Sequence, residues 1–216
     1  MRWESLQYKH FGIYQDEALG RFTEDPVHLV HFLEAKPTER ALDLGTGNGI
    51  IPLYANALYG CPFAGIDTDD RQLGLARMSA ERNGQAIPFY CLDVSEAARD
   101  LGYGQFDLVT MNPPYYSAAS AGEDPQRARQ RHSDRLADFV QAAFDLLNNG
   151  GRLCLCYRPD GLADLVALLR EKRLEPKKLE LRVRAKRGKL CCWKPKNWQS
   201  LVWIFSFPRE QNKGIT

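Results

Sequence analysis

The chain has 216 residues, of which 44% are hydrophobic and 26% charged, with a formal net charge of +2. This composition is typical of one globular domain spanning residues 1–216, and it excludes a disordered, collagen-like or coiled-coil chain. No apolar run reaches the roughly 20 residues that cross a bilayer, and the N-terminal sequence MRWESLQYKH has no apolar signal core. We therefore expect a soluble, cytoplasmic protein without membrane contact.

The cysteines predict reduced thiols and no metal site. Six of them are too few for a disulfide scaffold, and Cys154 and Cys156 alternate within an apolar stretch, as packed strand residues do. The adjacent pair Cys191-Cys192 lacks both the second spaced pair and the nearby histidines that a tetrahedral zinc site would use.

Charge is unevenly distributed along the chain. Residues 1–151 carry 13 Lys and Arg against 21 Asp and Glu, a net charge of −8, whereas residues 152–196 carry 14 against 5, a net charge of +9. A basic C-terminal quarter suits a polyanion such as nucleic acid. A solvated, charged hairpin would have the same pattern, so charge alone leaves both interpretations open.

Helical and extended segments alternate from residue 27 onward. The first helix is predicted over residues 27–33, with Asp25 as its N-cap and Pro26 in its first turn. Further helices are predicted over residues 50–58, 70–83, 136–147 and 161–172, the third of these closed by a turn at residues 149–151. Strands are predicted over residues 41–44, 63–66, 88–92, 106–111 and 152–157, followed by a hairpin of residues 179–183 and 201–207. This alternation predicts an α/β fold in which helices cover both faces of a parallel sheet.

A glycine-rich segment, DLGTGNG at residues 43–49, follows the first predicted strand and precedes a helix. Glycines there allow a tight turn and let a ligand approach main-chain N–H groups at the helix N-terminus. The spacing differs from the dinucleotide-binding pattern, and the carboxylate of Asp43 would repel a pyrophosphate but attract a cationic amino group. Asp43, Gly45, Thr46 and Gly47 are therefore candidate ligand-binding residues, with a purely structural turn as the alternative.

Two further carboxylates follow the next two strands. Asp67 stands where it can accept hydrogen bonds from both hydroxyls of a ribose, and Asp93 where it can accept one from an adenine amine. Either residue alone is more often a helix cap. Together with Asp43 they converge on the carboxyl edge of the sheet and predict S-adenosylmethionine as the cofactor.

The sequence Asn112-Pro113-Pro114-Tyr115 follows the strand over residues 106–111. Two prolines cannot continue a strand, so the chain leaves the sheet in one rigid conformation. The Asn112 side-chain oxygen and the Pro113 carbonyl can then accept both protons of a planar NH2 group, which aims the nitrogen lone pair at a methyl donor. Tyr115 offers a face on which a planar base can stack. The alternative is a strand terminator without chemistry.

Together these motifs resemble the class I, S-adenosylmethionine-dependent amino-methyltransferases. The segments GRFTEDPVHLVHFL, NPPYY and RHSDRLADFVQAAFDLLNNGGRLCL are similar to the bacterial tRNA1(Val) adenine-37 N6-methyltransferase group. The resemblance implies a Rossmann-like, mostly parallel sheet of seven strands, with strand order 3-2-1-4-5 and a C-terminal antiparallel hairpin. The reaction that it implies is methyl transfer to the exocyclic N6 amine of an adenine in RNA.

The resemblance also implies roles for individual residues. Catalysis would be carried by Asn112, Pro113, Pro114 and Tyr115. Cofactor contacts would be made by Asp43, Gly45, Asp67 and Asp93. Phe22 and Asp25 match an N-terminal segment, residues 1–40, that covers the cofactor.

Basic residues outside these motifs are candidate RNA contacts, since phosphates must be held while an adenine is unstacked into the pocket. These candidates are Arg129 and Arg131, soon after the NPPY sequence, and Lys186, Arg187 and Lys189 in a basic hairpin, residues 176–208. Residues 187–198 depart from the family in their content of Lys, Trp and Cys, and we expect Trp193 and Trp198 to pack the hairpin. The expected partner is tRNA or another RNA, and the expected state is a monomer.

Several alternatives remain at this point. The NH2 group of a release-factor glutamine, a DNA adenine or an rRNA guanine would suit the same motif. Only about 40 residues precede the glycine-rich segment, fewer than the N-terminal helical domain of the release-factor enzymes needs. A non-catalytic RNA-binding protein on the same fold is a further alternative, and a nicotinamide oxidoreductase conflicts with the glycine spacing.

Overall fold

A computed structural model describes residues 1–6, 10–19, 24–113, 125–157, 161–183 and 201–208. For residues 125–132, 181–183 and 201–208 it describes the backbone alone. The strands are β1 (Arg2–Ser5), β2 (Gly12–Gln15), β3 (Ala41–Leu44), β4 (Phe63–Asp67), β5 (Phe89–Cys91), β6 (Phe106–Met111), β7 (Leu147–Tyr157), β8 (Lys178–Val183) and β9 (Leu201–Pro208). The helices are α1 (Asp25–Phe32), α2 (Ile50–Tyr59), α3 (Asp70–Arg82), α4 (Ala97–Leu101), α5 (Pro125–Leu146) and α6 (Leu162–Glu171), with a 3-10 turn at Glu17–Leu19.

Seven of the strands form one sheet in the order β5-β4-β3-β6-β7-β9-β8. The first five strands in this order, β5-β4-β3-β6-β7, are parallel to one another. Strand β9 runs antiparallel to both β7 and β8. The predicted strands one to five are β3 to β7, so the predicted order 3-2-1-4-5 with an added antiparallel hairpin is confirmed. The order reverses between β3 and β6, which is where open α/β sheets bind ligands.

The sheet separates two apolar clusters, one on each face. Strand β6 contributes to both, with Leu108 in the cluster that contains α1, α2 and α3, and Val109 in the cluster that contains α4, α5 and α6. Because both faces of a central parallel strand are covered, its apolar residues form a continuous run instead of a polar-apolar alternation. Thr110 is therefore unusual, as a polar residue that is fully buried in such a strand.

Helix α5 begins earlier than the sequence predicted. The apolar periodicity indicated a start at residue 136, whereas the helix extends back to Pro125. The added turns, PQRARQRHSDR, are almost wholly polar, so they carry no apolar stripe that would have revealed a helix. Proline suits the first turn of a helix, where its missing N–H leaves no hydrogen bond unmade.

Strand β7 also begins earlier than predicted, at Leu147, and the predicted turn at residues 149–151 lies inside it. Phe106 of β6 pairs with Leu147, and Leu108 pairs with Arg152, so β7 uses five residues where β6 uses two. The excess forms a bulge that contains Gly150, whose φ of 88° is the left-handed conformation that glycine readily adopts.

Three smaller elements differ from the sequence analysis. The N-cap of α1 is Glu24, so the prediction of Asp25 as the cap was wrong by one residue, and Asp25 is the first residue of the helix. In the first turn, its negative charge still interacts favourably with the helix dipole and stabilises the helix. The β1–β2 hairpin and α4 were not predicted, because four- and five-residue elements carry too few apolar positions to define a period.

The N-terminal hairpin packs along α3. The backbone N–H and carbonyl of Gly12 bond to the Asn83 side chain, and the Tyr14 N–H donates to Ser79 Oγ at 2.8 Å. Further along, Gln72 Nε2 donates to the Leu19 carbonyl at 2.8 Å. The N-terminal segment thus follows α3 from its end to its start and reaches the carboxyl edge of the sheet. Among the helices described above, none has both the length and the apolar character needed to cross a membrane.

Candidate active site

The strand register brings the predicted functional segments to one edge of the sheet. Leu44 of β3 pairs with Ile66 of β4 on one side and with Met111 of β6 on the other. The residues that follow these three paired positions therefore lie side by side at the carboxyl edge. They are the glycine-rich loop (residues 45–49), Asp67 and Asn112.

The glycine-rich loop is tied to the end of β4 by two hydrogen bonds. The Thr46 N–H donates to the Ile66 carbonyl at 2.9 Å, and the Gly47 N–H donates to Asp67 Oδ2 at 2.8 Å. Gly45 has a φ of 67°, and a Cβ at that position would lie 3.1 Å from the ring of Phe139. The first glycine of the motif is thus required both by the backbone conformation and by the close approach of α5.

Asp43 is a carboxylate buried within β3, with only 1% of its surface exposed. Its Oδ1 accepts a hydrogen bond of 2.6 Å from the Thr110 hydroxyl on the neighbouring strand β6. Among the residues described by the structure, neither its Oδ2 nor Thr46 Oγ1 has a hydrogen-bond partner. Burying a carboxylate oxygen without a hydrogen-bond donor costs free energy, so Asp43 Oδ2 is a favourable acceptor for a donor on a ligand.

Burial raises the pKa of Asp43 to about 7. The Thr110 and Thr46 hydroxyls oppose this rise, whereas the negative charge of Asp67 adds to it. Thr46 acts here through proximity, since its hydroxyl makes no bond of adequate geometry to Asp43. A cation placed against Oδ2 would lower the pKa of Asp43 and hold the carboxylate in its charged form.

Asp67 holds two backbone groups while remaining partly exposed. Its Oδ2 accepts from Gly47, and its Oδ1 accepts from the Asp69 N–H at 2.9 Å, just before α3. Asp69 caps α3 by accepting from the Arg71 N–H. Each oxygen of Asp67 makes one of the two bonds it can accept, so capacity for ribose hydroxyls is left on both.

Asp93 is held by its own turn and by α5. Its Oδ1 accepts from the backbone N–H and the hydroxyl of Ser95, and its Oδ2 accepts from Arg135 Nη1 at 3.0 Å. The Ser95 N–H, the Ser95 hydroxyl and Arg135 keep the pKa of Asp93 below its usual value, although burial opposes them. One acceptor position remains on Oδ2, which suits an adenine amine.

The remaining candidates are described in part or lie outside the described residues. Asn112 is half-buried and Pro113 is buried, directly after β6. Arg129 and Arg131 lie on the N-terminal half of α5, where only the backbone is described. The other candidates lie outside the described residues; they are Phe22, Pro114, Tyr115, Lys186, Arg187, Lys189, Cys191, Cys192, Trp193 and Trp198.

Two residues at this site were not identified from the sequence. Thr110 bonds to Asp43 across the sheet, and Arg135 bonds to Asp93 from α5 and also lies 5.4 Å from the centre of the Phe139 ring. The only sequence signal for Thr110 was its polarity within the apolar run FDLVTM. Nothing local in the sequence links Arg135 to a residue 42 positions earlier.

The site fits the parts of S-adenosylmethionine that the sequence predicted. The unpartnered Asp43 Oδ2 suits the ammonium, the open acceptor positions of Asp67 suit the ribose hydroxyls, and that of Asp93 suits the adenine amine. The N-terminus of α2, directly after the glycine-rich loop, favours the carboxylate of the same molecule. Five polar groups of one ligand thus find complementary groups along a single edge.

Comparison with known proteins places these observations in a family. The chain is 29% identical over 169 residues to the tRNA1(Val) (adenine(37)-N6)-methyltransferase of Aeromonas salmonicida, covering 76% of this chain and 70% of that protein. It is 28% identical over 163 residues to the enzyme of the same name from Trichodesmium erythraeum, covering 73% and 68%. These relatives confirm the resemblance read from the motifs.

Solved structures confirm the fold class. TrmN from Thermus thermophilus superposes with a TM-score of 0.62 at 25% identity, and the match covers 85% of this chain but only 48% of that one. A methyltransferase from Pyrococcus furiosus superposes with a TM-score of 0.60 at 20% identity, covering 86% of this chain and 83% of that one.

The family described as the methyltransferase small domain matches residues 25–160. This match spans the glycine-rich loop, all three carboxylates and the NPPY sequence. It confirms the predicted reaction class and, with it, S-adenosylmethionine as the predicted methyl donor. The chain therefore belongs to the methyltransferase small domain family.

Proposed function

We propose that this chain transfers a methyl group from S-adenosylmethionine to the exocyclic N6 amine of an adenine in RNA, at position 37 of a tRNA of the tRNA1(Val) type. The observation that carries the proposal is the register of β3 with β6, since the Leu44–Met111 pair makes the glycine-rich loop and Asn112 neighbours. A cofactor held at the loop would place its methyl group beside the Asn112 amide.

The proposed chemistry is mostly one of positioning. Bound S-adenosylmethionine supplies an electrophilic methyl group on its sulfonium sulfur. The Asn112 side-chain oxygen and the Pro113 carbonyl accept the two protons of the substrate NH2 group, while Pro114 keeps the turn rigid and Tyr115 stacks on the base. These acceptors draw the nitrogen lone pair out of conjugation and direct it at the methyl group. The nitrogen loses its extra proton after transfer, so no general base of matched pKa is required.

The N-terminal segment, residues 1–40, is proposed to cover the cofactor. Two contacts support this. The Leu19 carbonyl is held at the start of α3, next to β4, and the Asp25 carbonyl accepts from the Cys156 thiol at the end of β7 at 3.4 Å. Both attachment points lie at the carboxyl edge, on either side of β3 and β6. Phe22 and Asp25 belong to this segment and are its proposed cofactor contacts.

RNA is proposed to bind through basic groups of α5 and of the C-terminal basic segment. Arg129 and Arg131 belong to the turns of α5 that follow the NPPY sequence, and Lys186, Arg187 and Lys189 belong to the hairpin of residues 176–208. Replacing those three with Ala should weaken RNA binding and reduce the slope of log affinity against log salt by about 3. We propose that the chain acts in the cytoplasm as a single-domain, monomeric enzyme.

The test is a methylation assay with labelled S-adenosylmethionine against total tRNA, rRNA, DNA and a release factor, followed by digestion to nucleosides or amino acids. The expected product is N6-methyladenosine from tRNA alone. Label in guanosine, deoxyadenosine or glutamine would replace the proposal with one of the alternative substrates, and label in none would favour a non-catalytic RNA-binding protein.

An Asn112→Ala variant should reduce single-turnover methylation about 100- to 1,000-fold while leaving S-adenosylhomocysteine affinity nearly unchanged, because the lost acceptor acts in the transition state. Asn149→Ala, an exposed position at the opposite edge of the sheet, is the matched control and should retain full activity. Full methylation by the Asn112 variant would show that the amide is not used.

A further inference from the structure

The contact between Thr110 and Asp43 has three properties that a packing contact does not require. The bond of 2.6 Å is short, both residues are buried, and it joins two neighbouring strands of the sheet. Thr110 also lies two residues before Asn112 on β6. Strand β6 thus carries the hydroxyl that contacts Asp43, and it ends directly before the residue proposed to hold the substrate.

The orientation of Asp43 depends on this bond. A carboxylate can rotate about its last side-chain torsion, which has a broad energy profile, and Asp43 receives no other hydrogen bond of good geometry from the residues that the structure describes. The Thr110 hydroxyl therefore selects which oxygen is occupied and which remains. The oxygen that remains, Oδ2, is the one without a partner.

We infer that Thr110 is a positioning residue for the cofactor, whose hydroxyl fixes the Asp43 carboxylate so that Oδ2 receives the ammonium of S-adenosylmethionine. The inference rests on the proposed function only in taking S-adenosylmethionine as the ligand. It is independent of which substrate is methylated. Thr110 is not a catalytic residue, because it acts through Asp43.

A structural interpretation of Thr110 makes different predictions. If the hydroxyl served only to satisfy a buried carboxyl, its removal would change the stability of the fold without changing how cofactor affinity depends on pH. If the hydroxyl orients the Asp43 carboxylate and stabilises its ionised form for the ammonium, removing it must change that pH dependence. A hydrogen-bond donor to the carboxylate favours the ionised form.

The sign of the pH effect follows from the surroundings of Asp43. Burial raises the pKa of Asp43 to about 7, so the carboxyl binds a proton as the pH falls below that value, and cofactor affinity should then fall by up to about tenfold per pH unit. Within the described part of the chain, the titratable groups that interact with Asp43 are Asp67, on β4, and Cys156, on β7. Burial raises the pKa of the Cys156 thiol well above its usual value, so Cys156 stays neutral through this range.

The test measures the affinity of the full chain for S-adenosylhomocysteine by calorimetry from pH 6 to pH 8.5. Thr110→Val removes the hydroxyl at nearly constant volume and should weaken binding at pH 7.5 roughly tenfold to a hundredfold, the usual effect of losing a hydrogen bond to a charged group. It should also move the onset of weakening to higher pH. Thr110→Ser keeps the donor and should restore both affinity and pH profile.

Two controls separate this role from a loss of folding. Thr38→Val removes a hydroxyl in an exposed turn and should leave the affinity unchanged. In an Asp43→Asn background, which should bind weakly without a pH dependence near 7, adding Thr110→Val should cause little further loss, because the two residues act as one unit. Ligand-free melting of each variant reports folding separately.

Each outcome decides the inference. Weaker binding with a shifted pH profile in Thr110→Val, restored in Thr110→Ser, would support it. Unchanged affinity and profile in Thr110→Val would overturn it, as would a loss that adds fully to that of Asp43→Asn. Binding of S-adenosylhomocysteine without methylation of any RNA would overturn the proposed function alone, whereas no binding by the unaltered chain would overturn both.

Discussion

Two largely buried carboxylates near the opposite ends of β3 differ in their partners, because within the described residues one pairs with a cation and the other does not. Glu39, just before the strand, is 12% exposed and pairs with Arg152 of β7, which is 21% exposed. Asp43, within the strand, is 1% exposed and has a single hydroxyl donor and no cation among the described residues. The two residues are only four positions apart in the chain.

The pKa of each carboxyl reflects this difference. Burial opposes the charge of Glu39, but the Arg152 guanidinium and the Lys36 N–H more than compensate, so the pKa of Glu39 is lowered. Arg152 is also held by the carbonyls of Leu33 and Glu34. Burial raises the pKa of Asp43 because nothing comparable opposes it. The amino edge thus has a completed ion pair, whereas Asp43, near the carboxyl edge, has no cationic partner among the described residues and is the residue proposed to bind the ammonium of the cofactor.

The largest stability change is expected at the amino edge. Glu39→Gln removes the charge opposite a mostly buried Arg152 and should lower the free energy of unfolding by about 3 kcal/mol, the lower end for a broken buried pair. Urea denaturation followed by circular dichroism measures this change. Affinity for S-adenosylhomocysteine should stay the same, since the pair is remote from the ligand. A loss of affinity without a loss of stability would contradict the separation of the two edges.

A change of opposite sign is expected at the carboxyl edge. Asp43→Asn removes a charge that burial disfavours and should raise the free energy of unfolding at pH 8 by about 2 kcal/mol, part of the roughly 4 kcal/mol that a rise in pKa from 3.8 to about 7 represents. The same variant should lose cofactor affinity, as sites built for ligands often trade stability for binding.

The pH dependence of that difference has a defined sign. A carboxyl with a raised folded pKa contributes stability that is fully present below its unfolded pKa of 3.8 and is lost as the pH rises through about 7. The stability of Asp43→Asn relative to the unaltered chain should therefore be constant below pH 4 and increase between pH 4 and pH 7. A difference independent of pH would mean that Asp43 is not buried as a charge.

The smallest effect is expected for an exposed pair at the same amino edge. Glu34 bonds to Lys178 at 2.7 Å, and this bond lowers the pKa of Glu34, but both side chains are largely in solvent. Such pairs contribute little because water screens them. Glu34→Gln should leave the urea midpoint unchanged within error, which makes it the matched control for Glu39→Gln. An equal loss in both variants would show that burial does not distinguish the two pairs.

Particular elements show how far sequence patterns predict this fold. The five parallel strands were predicted within a few residues, except for the start of β7, because each is a short apolar run bounded by turn residues. The start of α5 was missed because its first turns are polar, and the bulge in β7 was missed because asparagine and glycine usually mark a turn. In β7 the pairing with β6 overrides the local turn pattern.

In the candidate site, too, some features follow from the sequence and others depend on the tertiary structure. The sequence by itself determined that three carboxylates and an Asn-Pro-Pro-Tyr sequence stand at the C-terminal ends of successive strands of a parallel sheet. Chain direction alone sends all of those strand ends to one edge. Only the tertiary structure decided that Thr110 meets Asp43, 67 residues away, and that Arg152 meets Glu39, 113 residues away. Such pairings depend on strand order and register, which arise from the packing of the whole sheet and leave no periodic signal in the chain.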